Sequence, residues 1–510
     1  MNTPQDISAV PAPGLTSLDL APVPYAERTW GTGHYAALWI SMSLCIPTYM
    51  LASSLIEGGM NWWQALLTIF LGNTIVLAPM LLNGRAGARY GIPFPVLARA
   101  SFGVRGANVP ALLRAIIACG WFGIQTWIGG YALYQMAVLW VPGLGTLPAI
   151  FPASWGLATG PALVFLLFWA VNMYVVYLGV ESIRKLLVFK AFFLPLAALA
   201  LLWWAISAGH GLGPILAQPS KFTTSAQFWA FFFPSLTGMV GFWATLSLNI
   251  PDFTRYAVSQ RAQQLGQALA LPASMTLFSF VGVVVVVTSA TFIIYGKTIW
   301  DPVVLAGRFD SKLLVSFAML AVALSTLATN IAANIVSPAN DFANFSPARI
   351  SFKTGGYITG VLGVLIFPWK LIADPSGYIF TWLVGYSGLL GPIGGIMIVD
   401  YYLIRRQRLD LPDLYQYHGR YAYRGGFNPA AIIALIIGVL PNVPGFLTAI
   451  GVFEKGAVWP ALVAVYNYAW FVGFGVSGVV YWVLMGRQVS EPAPAASAVA
   501  AGISTPSLAQ

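Results

Sequence analysis

Two short stretches set polar side chains at helical spacing inside otherwise apolar sequence. Trp121-Phe-Gly-Ile-Gln-Thr-Trp127 places an indole and a primary amide, Trp121 and Gln125, four residues apart and so on one face of a helix. Ser325-Thr-Leu-Ala-Thr-Asn-Ile-Ala-Ala-Asn334 does the same with Asn330 and Asn334, and Thr329 stands beside them. Such groups either hold neighbouring helices together or meet a polar solute, and two asparagines with several hydroxyls exceed what helix association needs. Other chemistry is thinly provided. His34, His210 and His418 are scattered, and no acid pair or His-Glu-x-x-His motif falls within an apolar run, so no enzyme is expected. Cys45 and Cys119 both lie in apolar runs, which argues against a disulfide framework or a zinc site. No Walker motif precedes a helix, so nothing points to ATP. Glu57, Asp252, Asp341 and Asp400 lie near the ends of apolar runs, where helix capping or ion pairing competes with a proton relay.

The elements that must carry these residues follow from composition. Hydrophobic residues make up 58% of the 510-residue chain and charged residues 8%, against about 25% charged in an ordinary soluble domain. Too few charges remain to cover a soluble surface, so the solvent for most of it is lipid. A membrane helix needs about 20 residues with few charges. Eleven uncharged runs meet or approach that length, and the longest, 115–180, is divided by the Pro/Gly-rich stretch Pro142–Pro152, which gives twelve spans. Arg85, Arg89, Arg99 and Arg105 lie between the second and third spans, and Arg405, Arg406, Arg408, Arg420 and Arg424 between the tenth and eleventh. Arg184 with Lys185, Arg255 with Arg261, and Arg349 with Lys353 mark three further loops on the same side. Positive loops face the cytoplasm, so both termini are expected inside, and the net charge of +10 reads as a topology signal rather than a nucleic-acid surface.

A transporter must hold a polar solute at membrane depth, where unwound backbone survives only if it lines a cavity. Pro47 interrupts the first span and frees carbonyls around Ser43, while the sixth holds Pro234, Gly238 and Gly241 within two turns. These are corresponding places in two five-helix halves, the pattern of an inverted repeat with its site between broken helices. The expected division is a cytoplasmic tail 1–33, a first repeat 34–208, a second repeat 227–403, two further spans in 429–486 and a disordered tail 487–510.

Four motifs carry a family resemblance: Trp121-Phe-Gly-Ile-Gln-Thr-Trp127, Gly241-Phe-Trp243, Asn330-Ile-Ala-Ala-Asn-Ile-Val-Ser-Pro338 and Gly391-Pro-Ile-Gly-Gly-Ile-Met-Ile-Val-Asp-Tyr-Tyr402. From about Tyr25 to Arg487 the chain resembles the nucleobase–cation–symport-1 family. The resemblance implies the all-α, five-plus-five inverted-repeat fold shared with leucine-type amino-acid transporters, plus two C-terminal helices. It also implies a planar heterocycle held between Trp121 and Trp243, with Gln125 and Asn334 reading its N–H and C=O edge, since a primary amide offers a donor and an acceptor. Tyr386 and Ser387 are candidates for a moving gate. Sodium-coupled relatives would match the carbonyls of Ser41 and Leu44 with a hydroxyl pair at Ala328-Thr329; here one hydroxyl is missing, and Ser325 lies one turn earlier. That loss tilts the expected coupling ion from Na⁺ towards H⁺. Cys45 departs from a hydantoin-transporting relative, which has glutamine there. The expected function is import of allantoin, uracil or a hydantoin across the inner membrane by cation symport, with similarity greatest to bacterial allantoin permeases. A cytosine or purine carrier of the family, or an amino-acid carrier of the same fold, is the alternative.

Overall fold

The computed structural model describes residue 12 and residues 14–178, 195–280, 284–454 and 456–489. The Arg184–Lys185 pair and most of the expected C-terminal tail lie outside the described residues. Those described are helical with short connections, and two isolated bridges stand where strands would be. Among the described residues, seven helices are long and apolar enough to cross a membrane: Trp62–Tyr90, Asn108–Trp140, Thr159–Leu178, Lys312–Phe345, Gly377–Ile404, Pro429–Ala449 and Ala469–Gly486. The first span is an eighth, built from Thr32–Ser43 and Ile46–Glu57 with a 59° bend. Pro195–Ala208, Ser225–Phe242, Gln260–Phe280 with Val284–Tyr295, and Phe352–Leu365 stand where the remaining spans are expected. Twelve crossings are consistent with this arrangement.

The breaks fall beside the residues that signal them. In the first span the Leu44 N–H still reaches Ile40 O (3.2 Å), but the Cys45 N–H turns to Ser43 O (3.0 Å) and Cys45 is extended. Pro47 stands two residues later, in the first turn of the second helix, where a missing N–H has no partner to lose. The sixth-span helix continues through Pro234 and ends at Phe242; Trp243 leaves helical geometry, and Ala244–Asn249 resumes it. Ile335 interrupts the eighth between Lys312–Asn334 and Val336–Phe345.

The pairing of helices is that of an inverted repeat. The first span packs on the seventh, and with the halves exchanged the sixth packs on the second. Second with seventh and third with eighth map onto themselves. The third and tenth spans are the most enclosed, with 78% of their apolar windows buried, against 39% in the eleventh and twelfth. Close approach there depends on glycine: a Cβ on Gly123 would lie 2.1 Å from the Gly363 carbonyl oxygen, so the third and ninth spans touch backbone to backbone.

The arginine-bearing end is knitted by its loops. Arg99, in the helix Phe94–Phe102 between the second and third spans, is wholly buried. It donates to Leu414 O (3.1 Å) and Asn344 Oδ1 (2.7 Å) and lies over the Tyr415 ring. Burial pulls its pKa down to about 10, which leaves it charged at neutral pH. The segment before the first span is anchored rather than loose. Leu15 and Leu20 are buried, Val23 N–H donates to Gly91 O (2.9 Å) and Tyr415 O–H to Leu20 O (2.8 Å).

Candidate functional site

The break in the sixth span presents three consecutive residues to the enclosed helices. Gly241 lets the tenth span close in, since a Cβ there would stand 2.8 Å from the Leu383 carbonyl oxygen. Tyr386 O–H donates to Gly241 O (2.7 Å), and Trp243 N–H turns back to the same carbonyl. The Trp243 ring is fixed at its polar edge, where Nε1–H donates to Asn73 Oδ1 (2.8 Å) on the second span. Trp39 from the first span meets it edge-on at 5.2 Å. Asn73 in turn donates to Ile69 O (2.7 Å), so its amide orientation is set.

Trp121, on the third span, is ringed by the tenth. Trp382, Tyr378 and Tyr386 meet it edge-on at 5.9, 6.3 and 6.3 Å. Tyr378 O–H also donates to Pro47 O (3.1 Å), so the tenth span binds the broken first helix with one tyrosine and the broken sixth with another. Phe242 bridges the two indoles, 5.3 Å from Trp121 and 4.8 Å from Trp243.

Gln125 is buried one turn beyond Trp121, and its Oε1 has no hydrogen-bond partner among the described residues. Asn334 is buried and donates to Asn330 Oδ1 (3.0 Å). Asn330 is helix glue: its amide reaches Phe122 O (3.1 Å), Thr126 Oγ1 (2.9 Å) and Asn172 Oδ1 (3.3 Å), joining the eighth span to the third and fourth. An apolar cavity of about 340 Å³ lies elsewhere, between the first, fifth and eighth spans, and none of Trp121, Gln125, Trp243 and Asn334 lines it.

The cation candidates divide between two packed spans. Ser41 and Leu44 are half-buried beside the first break, whose second half packs on the eighth span. On the eighth, Thr329 Oγ1 donates to Ser325 O (2.9 Å), while the buried Ser325 Oγ has no partner among the described residues. This oxygen-only donor set suits a hard cation.

All four acids are engaged. Asp341 pairs with Arg114 (2.6 Å), both buried, and its Oδ1 has no partner among the described residues. Asp252 accepts from Phe94 N–H (2.8 Å) and Ser337 Oγ (2.6 Å). Asn249, with its amide turned to suit its neighbours, accepts from Arg114 (3.3 Å) and donates to Thr245 O (2.7 Å). Asp400 pairs with Arg405 (2.7 Å) and accepts from Tyr481 O–H (2.7 Å), and Glu57 accepts from Thr298.

The family model described as a permease for cytosine/purines, uracil, thiamine and allantoin matches residues 22–473. The chain belongs to this family. It is 45% identical over 479 residues to the purine-uracil permease NCS1 of Arabidopsis thaliana, covering 93% of this chain and 78% of that one. Identity to the allantoin permease of Bacillus subtilis (strain 168) is 40% over 484 residues, 94% of each chain. Among solved structures the fold matches Mhp1, a nucleobase–cation–symport-1 family transporter, in a closed conformation with bromovinylhydantoin bound. The TM-score is 0.73 at 26% identity, over 93% of this chain and 96% of Mhp1. The permease is thus a multi-pass membrane transporter of nucleobase type, not an enzyme. Sequence reasoning missed two members of the cluster. Phe242 stands inside the quoted motif Gly241-Phe-Trp243, and Asn73 is a lone amide in the second span; either was findable as a polar or bulky residue out of place.

Proposed function

We propose that the permease imports a planar heterocycle of the allantoin, uracil or hydantoin class by cation symport with alternating access, at a site formed by Trp121, Gln125, Trp243 and Asn334. The observation that carries this reading is the buried Gln125 Oε1, without a partner among the described residues and one helical turn from a buried indole. Buried polar atoms are normally satisfied, and a ring N–H supplies the missing donor. Trp121 and Trp243 give the ring apolar faces, worth roughly 1–3 kcal/mol per stacked base in comparable sites. Stacking tolerates any planar ring, so the amides choose among them. The relatives named for purine-uracil and allantoin transport support the substrate class. A cell-membrane location is proposed, and the arginine-rich loops support an orientation with both termini cytoplasmic.

The coupling ion proposed is H⁺. Ala328 contributes no side-chain oxygen to a Na⁺ site, and Asp341 has one carboxylate oxygen on Arg114 and the other without a partner among the described residues, where a proton can reside. Arg114 faces it directly, and Asp252 lies nearby, accepting from Ser337 Oγ. The Na⁺ alternative rests on Ser325 Oγ.

Uptake of radiolabelled allantoin and uracil by cells expressing the permease tests both parts. Saturable uptake of either, competed by the other or by hydantoin, is expected. Uptake should fall with a protonophore and persist without Na⁺. Loss on Na⁺ removal assigns the ion to Ser325 and Thr329 instead, and no uptake of either heterocycle removes the substrate assignment.

A further inference from the structure

A second cavity, of about 460 Å³, opens at the arginine-bearing end, where the third span begins and the eighth ends. The segment before the first span and the loop after the tenth complete its wall through Leu15, Tyr417 and Phe427, and no acid lines it among the described residues. Arg105 stands in this wall, exposed and without an acidic partner among the described residues. Its stem lies against Gly426, where a Cβ would come within 2.6 Å of Arg105 Cγ, and its guanidinium sits 5.4 Å from the Tyr417 ring centre. The cation is thus held in place without being neutralised. Asn108 adds a donor. Arg99 donates to Asn344 Oδ1 (2.7 Å), which turns the Asn344 amide so that its N–H reaches Asn108 Oδ1 (2.8 Å). Asn108 keeps its own amide N–H groups uncommitted among the described residues. A guanidinium and an amide N–H with no competing carboxylate suit a phosphate oxygen. The rest of the surroundings are apolar. Val109, Leu112 and Ile116 share one face of the third span. Ile116 is 46% exposed, and Phe345 and Phe427 on the rim are 58% and 42% exposed. That stripe leads from the cation along a membrane helix towards lipid tails, a track that a free anion has no use for.

We propose that this cavity binds an anionic phospholipid from the leaflet at the arginine-bearing end, with its phosphate on Arg105 and Asn108 and an acyl chain along Leu112 and Ile116. Basic pockets between membrane helices take anionic headgroups in this way. Bound there, the lipid touches the segment before the first span, the third and eighth spans and the loop after the tenth at once. A ligand that bridges parts distant in sequence binds only the folded chain and therefore stabilises it.

The test is thermal unfolding of the delipidated permease in detergent. It is titrated with dioleoyl phosphatidylglycerol, with phosphatidylcholine of the same chains, or with glycerol 3-phosphate. Phosphatidylglycerol should raise the midpoint saturably, and the other two should not. Arg105→Gln should raise the half-saturating concentration of phosphatidylglycerol by about fivefold or more, and Arg105→Lys by less, since it keeps the charge and loses the fork. Leu112→Ser, on the apolar track, should raise it as well. Arg420→Gln removes an exposed arginine outside the cavity and should leave it unchanged. Equal stabilisation by phosphatidylcholine, or an equal loss in Arg420→Gln, overturns the proposal, because general solvation or general charge attraction then accounts for the effect. Stabilisation by glycerol 3-phosphate that Arg105→Gln abolishes makes the occupant a soluble anion and overturns the lipid. If Arg105→Gln cannot be purified, Arg105→Lys and Leu112→Ser decide, and half-saturation unchanged in both overturns the site. No heterocycle enters the measurement, so its failure leaves the substrate site standing.

Discussion

An amide oxygen sealed in apolar surroundings without a donor costs about 1–3 kcal/mol, and Gln125 holds one. Such a group is tolerable where a ligand satisfies it for part of a cycle. Gln125→Ala removes both the orphan and the ligand's partner, so apparent affinity for the heterocycle should weaken roughly 5- to 150-fold while the protein stays as stable or gains stability. Competition uptake and thermal unfolding of the purified protein read the two effects separately. Unchanged affinity would place Gln125 outside the site. Asn330 shows the contrasting case, an amide in the same helix packing whose donor group is shared among three acceptors. Its role is structural for that reason.

At the scale of the element, helix breaks and glycine contacts decide what can meet. Two tyrosines of the tenth span hold the backbone of the first and sixth helices where each is interrupted. The third span reaches the same place because Gly123 and Gly363 bring two backbones into contact. Gly123→Ala forces a methyl group to within 2.1 Å of a carbonyl oxygen. The third and ninth spans must separate, with an overpacking cost of about 1–3 kcal/mol. A lower midpoint of thermal unfolding in detergent is expected, along with reduced uptake, since Trp121 and Gln125 move with the helix. An unchanged midpoint would mean that the contact is looser than its geometry.

Across the whole molecule, Arg114, Asp341, Asn249, Ser337 and Asp252 join the third, sixth and eighth spans in one buried polar network. Removing one partner of a buried ion pair costs about 3–5 kcal/mol, because the other charge is left uncompensated. Replacing both by apolar residues of similar volume is often neutral or better. Arg114→Leu should therefore lower the unfolding midpoint markedly, and combining it with Asp341→Leu should recover much of the loss. The pair that regains stability is expected to transport poorly if Asp341 carries the coupled proton. A double variant as unstable as the single would show that the surrounding hydrogen bonds, rather than the ion pair, hold the three spans.

Composition and charge spacing alone determined the membrane class and the helical fold, and proline and glycine positions pointed to which helices are interrupted, because lipid forbids unpaired backbone and penalises charge at every position along a span. The motifs around Trp121, Trp243 and Asn334 were likewise legible, since each is local in sequence. Tertiary structure decided what lies between them. Pro234 proved compatible with a continuous helix, and the break moved to Trp243, where the tenth span supplies the hydrogen bond and the contact. Anchoring of the N-terminal segment depends on Tyr415 and Gly91, hundreds and tens of residues away. Phe242 stands against both indoles because the third and sixth spans are brought together by partners far along the chain. Spacing in sequence reports which side chains share a helix face; only the packing of separate helices fixes which faces meet.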